Sequence, residues 1–175
     1  MGEALATAEI ESPLGTLRVA ATDEGVVRIA FPGGSGGGFS AWLKQAFPAA
    51  NRVNGLPMLE QARAEIKGYF DGSRTRFDVP VDLRGTDFQC SVWRLLLAIP
   101  YGETRSYAEV AESVARPRAF RAVGLASGAN PVPLIVPCHR VIAADGKLGG
   151  FGGGLDAKRK LLAFEQGYVS NGRLL

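Results

Sequence analysis

The sequence predicts a mixed α/β (α+β) fold in two parts, an antiparallel sheet with one helix followed by a helical half built around a helix-turn-helix. Three observations carry this. The first thirty residues form short extended runs broken by turns, the middle of the chain repeats apolar residues at helical spacing, and a capping box followed by Arg116-Pro117 marks two short helices around a turn.

The extended runs are residues 6–11, 17–22 and 26–31, separated by Ser12-Pro13-Leu14-Gly15 and Asp23-Glu24-Gly25. Connections this short, rich in Pro, Asp and Gly, join antiparallel neighbours, so the runs form a meander. Gly33-Gly34-Ser35-Gly36-Gly37-Gly38 reads as a solvated connector, because no Lys-Ser or Lys-Thr follows to complete a phosphate cradle. From Pro57, residues Leu59, Ala62, Ile66, Tyr69 and Phe70 recur at helical spacing until Gly72, giving a helix that should pack on the meander. The polar stretch from Gly72 to Gly85, with Pro80 inside it, is the expected join between domains 1–82 and 83–175.

The second half opens with a helix whose face is Phe88, Val92, Leu95, Leu96 and Ile99, ended by Pro100. Cys90 and Trp93 read as packing residues of this helix. Ser106-Tyr107-Ala108-Glu109 is a capping box that starts a helix running to about Val114. Pro117 suits the first position of a following helix over 118–126. Around it, Arg116, Arg118 and Arg121 alternate with Ala119, Ala122, Gly124, Ser127 and Gly128, a face both cationic and low enough to approach a nucleic-acid groove. An ordinary helical hairpin is the plain alternative. A closing helix over 155–166 offers Leu161, Leu162 and Phe164 for packing.

The 175 residues carry a formal charge of +3 and a pI near 9.1, which permits phosphate contact without establishing it. No apolar run approaches the roughly 18 residues of a membrane span, and the first residues lack a secretory pattern, so a cytoplasmic protein with no membrane association is expected. Cys90 and Cys138 have unlike neighbours, which favours one packed and one reactive thiol over a disulfide. One histidine and two distant cysteines do not make a four-ligand zinc site, and neither metal nor cofactor is expected.

The densest chemistry lies between Asn130 and Ile142, where Cys138, the sole histidine His139 and Arg140 are consecutive in an apolar run read as extended. A thiolate is the reactive form of cysteine, and either a neighbouring base or a neighbouring positive charge lowers the cost of making it. His139 and Arg140 each offer one of these. Because successive strand side chains point to opposite faces, a kink or a bridging water is required for contact. The glycines around Phe151 read as a surface loop or as a pocket wall, and Glu165 is placed to orient His139 if folding brings them together.

These residues resemble the O6-alkylguanine-DNA alkyltransferase family, the methylated-DNA–protein-cysteine methyltransferases. The resemblance rests on Gly85-Thr86-Asp87-Phe88-Gln89, Val92-Trp93, Ile99-Pro100-Tyr101-Gly102-Glu103-Thr104, Ser106-Tyr107, Arg121-Ala122-Val123-Gly124, Asn130-Pro131, Pro137-Cys138-His139-Arg140 and Gly152-Gly153-Gly154-Leu155. It implies a ribonuclease-H-like N-terminal domain, for which the sequence match is weak, and a winged helix-turn-helix C-terminal domain. It further implies direct-reversal DNA repair, in which an alkyl group leaves O6 of guanine, and O4 of thymine, and stays irreversibly on Cys138. In that scheme His139 acts as base through a water, Glu165 steadies its imidazole, Tyr107 hydrogen-bonds N3 of the leaving guanine, and Asn130 fixes the turn before the acceptor. Pro133, Val141, Phe151 and Gly152 become pocket residues. Arg121 enters the duplex where the nucleotide flips out, with Arg118, Ala119, Ala122, Gly124, Ser127 and Gly128 along the DNA face. The implied partner is double-stranded alkylated DNA, bound by a monomer, with cooperativity left open.

Two departures matter. The N-terminal zinc ligands of some relatives are missing, and Phe151 stands where many relatives have tyrosine, beside Gly152, which points to room for bulkier alkyl groups. Two other readings compete. A binding module that only recognises alkylguanine would lack the acceptor cysteine, and a cysteine hydrolase would need no arginine-bearing helix.

Overall fold

The computed structural model describes residues 2–33 and 38–171, the last four as backbone. Most of the connector expected at 33–38 lies outside the described residues. The chain begins with β1 (Ala4–Ser12), β2 (Gly15–Ala21) and β3 (Val26–Ala30), paired antiparallel as the meander requires. The first turn is closed by Ser12, whose hydroxyl donates to the Gly15 carbonyl at 2.7 Å and accepts from Leu14 N–H at 3.1 Å. A two-residue β4 (Asn51–Arg52) adds parallel to β1, so the sheet order is β3-β2-β1-β4.

Two helices cover the sheet. The helix α1 (Phe39–Ala46) buries Phe39 and Leu43, with Phe47 beyond its end, against Leu5, Ala20 and Val27. The sequence reading placed no helix there. On the other face lies α2 (Pro57–Asp71), which sets Leu59, Ala62, Ile66, Tyr69 and Phe70 against Ala6, Ile10, Leu17 and Val19. It stops at Gly72, left-handed at φ 82°, whose N–H reaches the Gly68 and Tyr69 carbonyls. An L side chain is strained in that region, so glycine ends the helix cheaply.

The core continues without a break into the helical half. Main-chain bonds also tie β3 to later segments: Val26 N–H donates to Pro80 O, Asp82 N–H to Val26 O and Ile29 N–H to Pro131 O, each at 2.9 Å. The helix α3 (Asp87–Leu97) starts on a Thr86–Gln89 capping box and buries Val92, Trp93 and Leu96. Both cysteines are free, and Cys90 is packed as expected. Trp93 anchors the next layer, because its indole N–H donates to the Ala126 carbonyl at 2.8 Å.

The helix-turn-helix consists of α4 (Tyr107–Ser113) and α5 (Phe120–Gly128), both packed with α3. Ser106 Oγ accepts Glu109 N–H at 3.1 Å while Glu109 accepts Ser106 N–H at 2.6 Å, the reciprocal cap the motif predicts. Such caps contribute about 1 kcal/mol. One expectation is corrected here. Pro117 does not open the second helix; it occupies a turn closed by Ala119 N–H to Arg116 O at 2.8 Å, and α5 starts at Phe120 and continues to Gly128. Proline favours the second position of such a turn as strongly as a helix start, so the fixed φ suited both. A short parallel ladder joins β5 (Arg105–Ser106) to β6 (Val141–Ile142), and α6 (Leu155–Asn171) closes the chain. No helix among the described residues is long and apolar enough to cross a membrane.

Candidate active site

The segment carrying Cys138 hangs from the end of α5. Asn130 holds it in shape: its Oδ1 accepts Val132 N–H at 3.0 Å and its Nδ2 donates to the Val136 carbonyl at 2.9 Å. Within this turn Leu134 adopts φ 80°, a conformation costly for an L residue that the surrounding bonds must hold in place. The run that follows is not extended. Residues Cys138–Arg140 form a single 3₁₀ turn, with Arg140 N–H bonded to Pro137 O at 2.9 Å. This is the kink that strand geometry alone would have denied.

The 3₁₀ turn aims His139 and Arg140 at the same residue of α6. His139 Nε2 lies 2.8 Å from Glu165 Oε2, and Arg140 donates through Nε to Glu165 Oε1 at 2.6 Å and through Nη1 to the Ile99 carbonyl at 2.7 Å. All three side chains are buried. Burial opposes the charge on Glu165, but hydrogen bonds and charge from His139 and Arg140 outweigh it and hold the carboxyl below its usual value. Burial likewise pushes His139 below its ordinary 6.5 despite the carboxylate beside it. At neutral pH the pair is therefore carboxylate and neutral imidazole. An ionised carboxylate only accepts, so the proton sits on Nε2 and the lone pair on Nδ1. Nδ1 is buried and has no hydrogen-bond partner among the described residues, which leaves that lone pair open to take a proton.

Cys138 is itself 3% exposed, and burial raises its thiol to about 11, against the opposing effects of the Asn130 side chain and the Lys158 charge. Lys158 is the residue the sequence reading missed. Its ammonium is buried, donates to the Val141 carbonyl at 2.6 Å and lies 3.4 Å from the Tyr107 hydroxyl. Lys158, Leu161 and Glu165 are spaced i, i+3, i+7 and so share one face of α6, a signal available from spacing once Glu165 was singled out.

Tyr107 stands at the start of α4, half-buried, with its pKa raised by burial and then by Cys138. The glycine-rich segment passes directly over it: a Cβ on Gly149 would fall 1.8 Å from the Tyr107 hydroxyl. Further along, Phe151 packs edge-on to Phe31 of the sheet half at 5.6 Å and to His139 at 6.5 Å. The expected pocket residues divide into two groups. Val141 is fully buried next to Lys158, whereas Pro133 and Gly152 line a surface groove together with Asn130 and Gly128.

On α5, Arg121, Ala122, Leu125 and Gly128 are exposed along one face, Gly124 is half-exposed, and Arg118 and Ala119 precede the helix in the turn. Ser127 is a correction. It is 2% exposed and cannot contribute to an outer face, because with Val123 and Ala126 it completes the i, i+3, i+4 stripe turned to the core. Among the described residues no cluster of three or more His, Cys, Asp or Glu side chains is placed to hold a metal.

Comparison with known proteins follows the same division. Residues 6–83 match the ribonuclease-like domain and residues 87–167 the DNA-binding domain of 6-O-methylguanine DNA methyltransferase. The methylated-DNA–protein-cysteine methyltransferase of Mycobacterium tuberculosis is 61% identical over 102 residues, covering 58% of this chain and 62% of the relative's length. The protein of the same name from Methanosarcina barkeri is 43% identical over 157 residues, covering 90% of this chain and 94% of its own. Among solved structures, Mycobacterium tuberculosis OGT in complex with DNA aligns with a TM-score of 0.78 at 43% identity, over 93% of this chain and 92% of that one.

Proposed function

Because the chain belongs to the 6-O-methylguanine DNA methyltransferase family, we propose that it repairs alkylated DNA by moving the alkyl group from O6 of guanine onto Cys138, once per molecule. The observation that carries this reading is the buried array of Cys138, His139, Glu165 and Lys158, with the half-buried Tyr107 against Lys158, beside an arginine-bearing helix. A hydrolase would need water at the thioester. An alkyl thioether, by contrast, is inert to water, so the product stays on the protein.

His139, through a bridging water, removes the thiol proton, and Glu165 stabilises the imidazolium that forms. The sulfur displaces O6 from the alkyl carbon, and the electron pair of the broken C–O bond stays on guanine. Tyr107 donates to N3 of that leaving base, and Lys158 beside its hydroxyl offsets the negative charge left behind. The alkyl carbon is out of reach inside a stacked duplex, so the nucleotide must be extruded, with Arg121 filling the gap. O4-alkylthymine presents a similar alkoxy group and is proposed as a lesser substrate.

The role of each site residue rests on position. Arg118, Ala119, Ala122, Gly124 and Gly128 would accompany Arg121 along the duplex; Pro133, Val141, Phe151 and Gly152 would border the base. The family matches, which meet between residues 83 and 87, support domains 1–82 and 83–175. A cytoplasmic monomer acting on duplex DNA is part of the same proposal. Titrating protein against a duplex carrying O6-methylguanine tests it: the account expects one lesion removed per protein and no more. Repeated turnover would favour the hydrolase, and binding without removal would favour a recognition module.

A further inference from the structure

A groove of about 900 Å³ lies between the sheet half and the far end of α5. One wall carries Arg18, Arg28 and Trp42; the other carries Gly128, Asn130 and Gly152. The register pairs Arg18 with Ala30 and Ala20 with Arg28, so the two arginines are diagonal neighbours on one face of β2 and β3.

Both guanidinium groups are held on aromatic rings of α1. Arg18 lies over Phe39 at 5.1 Å, and Arg28 over Trp42 at 4.9 Å. Neither forms an ion pair among the described residues. Arg18 makes none even though Glu9 is directly opposite it on β1 and also lines the groove. Arg28 Nε is buried without a hydrogen-bond partner. Two stacked, uncompensated guanidinium forks have little side-chain freedom left to lose and match the geometry of phosphate oxygens.

We propose that this groove holds backbone phosphates of the DNA strand flanking the lesion, with Arg18 and Arg28 as phosphate contacts supplied by the N-terminal half. The inference rests on the repair reading above, and its geometry follows from α5. Gly128 and Ala129, at the end of α5, line the groove as well, and neither has a side chain beyond Cβ to obstruct a strand leaving that helix. The sheet half would then act as a second, sequence-independent grip on DNA.

The test compares wild type with Arg18→Gln/Arg28→Gln and with Arg18→Lys/Arg28→Lys, using duplexes with a central O6-methylguanine across a salt series, and free O6-benzylguanine in parallel. The glutamine pair should bind duplex at least about tenfold more weakly at physiological salt, with a log-affinity against log-salt slope shallower by about 1.8. Its reaction with the free base should match wild type, which also shows that the site is folded, and the lysine pair should recover much of the slope. Unchanged affinity and slope would overturn the groove assignment, as would an equal loss on duplex and free base. Wild-type protein inert toward both substrates would instead refute the repair reading itself.

Discussion

Lys158 of α6 and Tyr107 of α4 meet ammonium to hydroxyl at 3.4 Å, and both are electrostatically coupled to Cys138. The lysine stays buried because its ammonium also donates to the Val141 carbonyl. In the proposed reaction, this one positive charge would serve both the sulfur and the leaving base, where negative charge develops.

Lys158→Met removes that charge with little change of volume. The thiol then rises further from neutrality, and each pKa unit reduces the thiolate tenfold, so alkyl transfer should slow by about tenfold or more at pH 7. Single-turnover rates with free O6-benzylguanine measure this. An unchanged rate would show that Lys158 is only a packing group.

The pH dependence follows from His139. Its pKa is depressed, so the base is neutral at pH 7 and the rate should fall only as acid reaches values below 6.5. Stability moves the same way. The unfolded chain binds protons at His139 near 6.5 and at Glu165 near 4.5, whereas the folded chain resists both until lower pH. Stability from these groups is therefore full above about pH 6.5 and lost as pH drops through the folded values. Melting temperatures between pH 8 and pH 4 check the sign; a protein that grows more stable on acidification contradicts it.

Glu165→Gln leaves Arg140 buried without a charged partner and His139 without its carboxylate. Breaking such a pair costs about 3 kcal/mol. The variant should melt lower and transfer more slowly, and His139→Gln alone should slow transfer with a smaller loss of stability, because Arg140 keeps Glu165.

Trp93→Phe probes the layer beneath α5. It removes the N–H that satisfies the Ala126 carbonyl at 2.8 Å, at a cost of about 1–3 kcal/mol. Lower melting temperature with an unchanged free-base rate is expected; a lost free-base rate would mean that α3 shapes the acceptor site directly.

What could be read from the sequence was whatever local geometry decides. The Ser106–Glu109 box, the stop at Gly72 and the meander turns depend on neighbours a few residues away, and they stand where they were expected. The helix at Phe39–Ala46 was missed because it follows a glycine run, is only eight residues long and has no capping side chain at Gly38. The 3₁₀ turn at Cys138, the inward aim of Ser127 and the burial of Lys158 are set by contacts between distant segments, and spacing does not report those until a partner is known. The pairing of His139 with Glu165 was anticipated as conditional on the fold, and the fold supplies it at 2.8 Å.

The most direct measurement is the intact and peptide mass of the protein after incubation with duplex DNA containing O6-methylguanine. The account predicts a single added CH₂ per chain, located on Cys138 and not on Cys90, with unmodified guanine left in the duplex and no addition to a Cys138→Ser variant. Repaired DNA with no mass gained by the protein, or a methyl group found on Cys90, would contradict it.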